Sequence, residues 1–502
     1  MTASANSVAW ATTLLSQARP EQVFFPGTAA YELARNGFWS NIQKELQPAC
    51  IYQPRNAADV SLAVVIFNIT KCPFNVKSGG HGRFAGESSI GNEGVLIDLA
   101  HINHIKVSDD RKSVAVGPGL RWVDVYGCLE PLHLTVVGGR DADVGVGGFL
   151  LAGGIAFHSS MYGWATENIR SMEVVLASGL VVTASESSHP HLFRALRGGG
   201  GNFGIVVSFV LDAYPYAGMW GGRRFTSDED TGALLDAFMK YGHQSPADPK
   251  VSVILNHTIL NGEFVWVNDL EYCEPVVLAP DGPLIPDLLQ DFMKLPTSMD
   301  ETTNTHNSAL TVAMASGSPR GYRNSYWGLA AKLDRRVLDF YVEMYRREGA
   351  KLAQLPGVGA GGDIQVITAG MRAAMGRRGG NVLGLSDSTE PLLLFNPAPR
   401  WTDPRHDEIV LSTINTIITA TEARARELGL AHSFLYMNYT AGWQDPIAGY
   451  GAEQKRFLQS VSRKYDPEGF FQTIRKGGFK LGGSPKSLQQ WAGSSCERPH
   501  KT

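Results

Sequence analysis

Fifty-five glycines, gathered into pairs and runs, constrain this chain more than any other feature. Gly-Gly pairs stand at 79–80, 138–139, 147–148 and 153–154, and an unbroken glycine run fills 198–201. Glycine admits positive φ and lets a second backbone approach closely, at a cost in chain entropy. A chain that accepts this cost repeatedly in its first half is built to press main chain against something large. The segment Ser78-Gly-Gly-His-Gly82 follows the strand-like run "FNVK" and presents successive backbone N–H groups, as an anion nest does. It is not a Walker A loop, because the G-x-x-x-x-G-K-[ST] spacing is absent, and no helix with a well-spaced acidic residue follows to make a Rossmann fingerprint. Taken alone, the stretch also reads as an ordinary surface loop. "Asp143-Val-Gly-Val-Gly-Gly-Phe-Leu-Leu-Ala-Gly-Gly154" is apolar yet riddled with glycine, which suits backbone laid against a flat ligand better than an ordinary strand or helix. "Arg197-Gly-Gly-Gly-Gly-Asn-Phe-Gly204" makes a tight turn into the apolar run "IVVSFVL".

Charge and hydropathy narrow the class. A formal net charge of −3 lacks the clustered Lys and Arg that nucleic acid requires. No window approaches the ~18 uninterrupted apolar residues of a membrane span. The first residues lack a basic region followed by a long apolar core, so the expected location is intracellular and cytoplasmic, with a secreted form left open if a leader has been removed. The five cysteines, Cys50, Cys72, Cys128, Cys273 and Cys496, have neither zinc-site spacing nor the even number of a disulfide framework. The sequons at Asn68, Asn256 and Asn438 read as chance triplets.

The first ~215 residues read as α+β with mixed strands rather than a regular βαβ array. "CIYQP" is a short strand, Asn56 to Asp59 a cap, and the apolar run after it a helix. "FNVKSGG" and "GVLIDLAHINHIKV" contain strands, a helix starts near Trp122, and "NIRSMEVVLASGLVVTAS" is a hairpin turning at "ASG". After about Ala213 the glycine clusters thin out. "EDTGALLDAFMKYG" is an amphipathic helix, "KVSVILNHTIL" and "EFVWVNDLEY" alternate as antiparallel strands, and two long helices follow in the segments after Asn324 and after Arg405. This second unit closes near "SFLYMNYT", and the tail is a helix followed by extended chain.

Several runs then occur in a telling order: "PRNAADV" (54–60), "KSGGHG" (77–82), "VLIDLAHIN" (95–103), "VGVGGFLLAGG" (144–154), "YGWATENI" (162–169), "LFRALRGGGGNFGIV" (192–206) and "KYDPEGFFQ" (464–472). Together they resemble an FAD-linked oxidase of the vanillyl-alcohol-oxidase superfamily, in the berberine-bridge-enzyme-like group, of the kind found in fungal specialised metabolism. The resemblance spans about residues 20–481. It implies a two-domain α+β PCMH-type FAD-binding fold, with a substrate domain of antiparallel sheet covered by helices. The expected division is 1–214 for FAD (core about 45–214), 215–440 for substrate, and 441–502 as a segment returning to the FAD domain.

The resemblance further implies that His81 carries the flavin covalently through its 8α-methyl group. A neutral imidazole is a competent nucleophile near pH 7. Many relatives add a cysteinyl bond at flavin C6; the matching position here is Asp141, which has no sulfur, so a single link is expected. Ser78, Gly79, Gly80 and Gly82 are expected along the pyrophosphate and ribityl chain, with Val144, Gly147, Gly148 and Gly153 behind, and Ile205 and Val206 at the adenine or ribose. Val144 matches a position that admits oxygen in relatives, or it is packing only. Tyr436 is the expected base and Asn438 a polar contact: in a strand "Y-M-N-Y" these two share a face and Tyr439 points away. A buried structural Tyr436 is the alternative, and His158 is a reserve candidate.

The activity so implied is oxidation of a small organic substrate, with electrons passed to O₂ to give H₂O₂. Carbohydrate oxidation and a non-redox, flavin-bearing cyclase are the alternatives. No nucleic-acid or membrane partner is expected, and the expected assembly is a monomer or weak homodimer.

Overall fold

The computed structural model describes residues 3–260, 262–280 and 282–484. Cys496 and the end of the expected 441–502 segment lie outside the described residues.

The first layers are two small sheets. In one, Cys50–Tyr52, Val95–Asp98 and Phe74–Lys77 run parallel, with Val23–Phe24 antiparallel on the edge. A parallel connection from Tyr52 to Phe74 needs a crossover, and the helix Ala57–Thr70 supplies it. Its start is the expected cap: the Asn56 side chain accepts from the Asp59 N–H at 3.0 Å. Val60, Ala63, Val64 and Phe67 are fully buried along it. The second sheet is antiparallel, ordered Ile105–Val107, Ser113–Val116, Ile205–Asp212, Ile169–Val175, Val181–Ser185. The 169–185 hairpin pairs Val175 with Val181, and Gly179 takes the positive φ of its turn.

The largest sheet among the described residues has nine strands. Its centre is Met219–Ser227, Glu263–Tyr272, Val251–Leu260, Gly361–Ile367 and Leu392–Pro397, continued by Leu329–Lys332 and Ala431–His432. Strands alternate their side chains between two faces. Here Val253, Leu255, Trp266, Leu270, Ile364 and Phe395 point one way, into a core shared with the helices Thr231–Gln244, Arg335–Ala353 and Asp407–Glu427. Ile254, Asn256, Val267, Asp269, Asp363 and Gln365 point the other way and wall a cavity. The architecture is α+β of the PCMH type, with its antiparallel sheet covered by helices on one face.

Two local readings differ from expectation. "VGVGGFLL" contains a short helix, Val146–Leu151, because Val146, Phe149 and Leu150 anchor it in the core while Gly148 is left on the cavity side. "Y-M-N-Y" is not a strand. The last strand stops at His432, and the Tyr439 N–H closes a tight turn on the Tyr436 carbonyl at 2.7 Å. The strand argument for which tyrosine shares a face with Asn438 therefore does not hold.

The tail comes back to the parallel sheet. After the helix Ala452–Tyr465, Phe470 and Phe471 pack with Phe74, and Arg475 bridges to Phe74 alongside that strand.

Candidate active site

A cavity of about 590 Å³ lies between the glycine loops and the polar face of the nine-stranded sheet. The loop 78–82 forms one wall because its root is fixed. Lys77 is buried at the strand end, donating to the Ala34 carbonyl and to Asp98, each at 3.1 Å. Gly79 meets Gly145 backbone to backbone: a Cβ on Gly79 would sit 2.4 Å from the Gly145 Cα. Gly80 needs its positive φ of 74°. The Ser78 hydroxyl donates to the Pro118 carbonyl and accepts from the Gly147 N–H at 3.1 Å. The one proton of that hydroxyl is spent on joining the two glycine segments, so only the backbone N–H of Ser78 is left to donate to a ligand.

His81 stands at the head of this loop. Its ring stacks on Trp39 with centroids 4.0 Å apart and an 11° interplanar angle. Its buried Nε2 has no hydrogen-bond partner among the described residues, and the nearest acid oxygen, on Asp141, is 4.0 Å away. Burial pushes the imidazole below its ordinary 6.5, against the upward pull of Asp141 and then Asp143. At neutral pH the ring is uncharged. Asp141 is itself held by the Ser318 hydroxyl at 2.7 Å and by the Asp143 N–H at 2.8 Å.

Of the other expected residues, Val144, Gly147, Gly148, Ile205, Val206, Tyr436 and Asn438 all line the cavity. Gly153 does not; a Cβ there would meet the Trp164 ring at 2.8 Å, so this glycine serves packing. His158 borders a separate cavity with His133 and Cys273, where burial pushes it down to about 4.

The tyrosines divide by their partners. The Tyr436 oxygen accepts from the Gly154 and Ile155 N–H groups, each at 3.1 Å, and from the Asn438 amide at 2.9 Å. Its ring is fully buried, and burial drives the phenol well above its ordinary value. Tyr439 is half-buried, and its oxygen accepts from Arg140 at 2.9 Å and Gln365 at 3.1 Å. Arg140 also donates to Gln365 at 2.6 Å. On the sheet wall, the Asn256 amide donates to Asp363, whose carboxyl burial pushes up to about 6. Burial and the neighbouring Asp363 also drive Asp269 upward.

Trp39, Arg140, Asn256, Asp363 and Gln365 escaped the sequence reading. Arg140 stands between two glycine clusters, a usable hint. The strand residues carried no signal, because only the sheet brings them to the cavity.

The lining suits a flavin dinucleotide on its own evidence. His81, with its orphaned buried ring nitrogen, is among the lining residues, glycine backbones crowd one wall, and a Cβ on Gly148 would find nothing within 4 Å.

Comparison with known proteins agrees. A family profile described as an FAD binding domain matches residues 48–185. The FAD-dependent monooxygenase tpcD of Cochliobolus heterostrophus is 35% identical over 461 residues, covering 88% of this chain and 87% of that protein. The glucooligosaccharide oxidase of Acremonium strictum, solved with a 6-S-cysteinyl, 8α-N1-histidyl FAD, superposes with a TM-score of 0.74 at 19% identity, covering 94% of this chain and 100% of that one. Physcomitrella patens BBE-like 1 gives 0.71 at 18% identity, covering 93% and 98%. The fold and site define an FAD-linked oxidoreductase. The chain belongs to the family of FAD-dependent monooxygenases that includes tpcD, and it shares its fold with BBE-like 1 and the glucooligosaccharide oxidase.

Among the described residues no helix is long and apolar enough to cross a membrane.

Proposed function

We propose that this protein oxidises a small organic molecule with O₂, releasing H₂O₂, and holds its FAD through a single bond to His81. The observation that carries the tether is the buried, unpartnered Nε2 of His81, 4.0 Å from Asp141. A carboxylate there offers no thioether. FAD held there would supply the two-electron redox chemistry, as acceptor of a hydride equivalent from substrate and donor of two electrons to O₂.

The chain's own residues do the rest. The 78–82 backbone and Gly147–Gly148 hold the cofactor, Ile205 and Val206 meet its adenosine end, and Val144 lies on the path of O₂. Segment 215–440 supplies the substrate wall. Tyr439, rather than the expected Tyr436, takes the substrate proton. It lines the cavity, and as a phenolate, the form able to accept a proton, it would have Arg140 at 2.9 Å as a fixed positive partner. Tyr436 is a positioning residue: it holds the Gly154–Ile155 backbone and, through Asn438, the turn that carries Tyr439.

Relatives such as tpcD are named monooxygenases, and this favours a second reading in which one atom of O₂ enters the product. Two experiments decide. Flavin fluorescence should stay with the denatured chain and be released from His81→Ala; flavin lost from the wild-type chain refutes the tether. Turnover under ¹⁸O₂ should yield one H₂O₂ per product with no label in that product. Labelled product establishes the monooxygenase instead.

A further inference from the structure

On the wall of the cavity stands a cation that the reaction does not use. Arg475 lines the cavity with Gly201, Gly204, Ile205, Val206 and Gly478. Its position is fixed by the bridge to Phe74, the first residue of the strand that runs to the His81 loop. The guanidinium is held between two glycines. A Cβ on Gly201 would lie 3.2 Å from its Cζ, and a Cβ on Gly478 would lie 3.0 Å from its Nη2.

This group has no carboxylate partner among the described residues. Its side chain makes one hydrogen bond, from Nη1 to the Gly201 carbonyl at 3.0 Å. A guanidinium carries five N–H donors in a fixed fork. A second cation stands close by: the Lys480 ammonium donates to the Phe471 and Arg475 carbonyls at 2.9 and 2.8 Å. Burial pushes Arg475 down to about 10 and Lys480 well down. Among the described residues the acid acting on Lys480 is Asp466, which spends both oxygens on the Phe470 and Phe471 N–H groups. Two half-buried cations set side by side without a free anion are costly, and the fork geometry of Arg475 matches phosphate oxygens.

We propose that Arg475 is the anion anchor of the cofactor site and grips the diphosphate of the flavin dinucleotide, leaving the glycine loops to fit its shape. The assignment rests on FAD binding and not on the tether.

The test uses full-length His81→Ala protein, in which flavin binding is reversible whether or not His81 carries a bond. FAD, ADP, adenosine and riboflavin are titrated at low and high salt, with and without Arg475→Gln. FAD and ADP should weaken about tenfold or more, as for loss of one charged hydrogen-bonded contact. Adenosine and riboflavin should change less than about twofold, and the salt dependence of ADP binding should flatten. Unchanged FAD and ADP affinities overturn the proposal. So does an equal loss for adenosine, which would place Arg475 on the base. If Arg475→Gln does not fold, phenylglyoxal labelling of the parent answers the same question. ADP should block modification at Arg475, read by peptide mass, and adenosine should not. Labelling unaffected by ADP overturns the proposal.

Discussion

Asp363 offers the sharpest quantitative check on the cavity wall. Its carboxyl moves from an ordinary 3.8 to about 6, because burial outweighs the Asn256 hydrogen bond and the Arg140 charge. An acid raised on folding binds its proton more tightly in the native state. Native stability therefore falls as pH rises from about 4 to about 6, then levels off with the full cost in place. Across that interval, at about 1.4 kcal/mol per pH unit, the ceiling is about 3 kcal/mol. The side chain also meets the water of the cavity, so a working range is about 1–3 kcal/mol. Asp363→Asn removes the ionisation, and its amide oxygen still accepts from Asn256. The variant should match wild type at pH 4 and exceed it by that amount at pH 7 to 8. For a chain this long the gain is about 1–3 °C in Tm, best confirmed by urea unfolding across the pH series. A gap independent of pH, or one that opens toward acid, would refute the reasoning.

Three other outcomes follow from the site. Tyr439→Phe should lower kcat about a hundredfold or more with flavin content unchanged, whereas activity near wild type would return the base to Tyr436. Tyr436→Phe leaves the buried Gly154 and Ile155 N–H groups without their acceptor; unfolding should become easier by about 1–3 kcal/mol, and an unaltered denaturation curve would show the contact is idle. Gly79→Ala forces its methyl into the Gly145 backbone and should yield protein with little bound flavin, read from the ratio of flavin to protein absorbance. Normal flavin loading would mean the two loops part without cost.

Much of this arrangement was legible before folding because its signals are local. The Asn56 cap, the hairpin at Gly179 and the long helices each declare themselves within a few residues. The glycine loops were legible for the same reason. What stayed hidden depends on distance. Arg140 and Gln365 are separated by 225 positions and meet only through the sheet. Strands Gly361–Ile367 and Leu392–Pro397 begin with paired glycines or end in proline, which reads as loop. The Y-M-N-Y segment misled because a strand period was assumed where one backbone hydrogen bond makes a turn. Ser78 is subtler: the sequence counts it only for its backbone N–H in an anion nest, and its hydroxyl joins Pro118 and Gly147.

The two-faced sheet carries a consequence for how such a protein diversifies. Odd and even positions along Val251–Leu260 answer to different demands. Val253 and Leu255 are answerable to the helices, and Ile254, Asn256 and Thr258 to whatever enters the cavity. Substitution at every second residue can thus rewrite the clientele of the enzyme while its scaffold goes untouched. A lineage built on this sheet can explore new substrates in single steps, each paid for at the wall and not in the core.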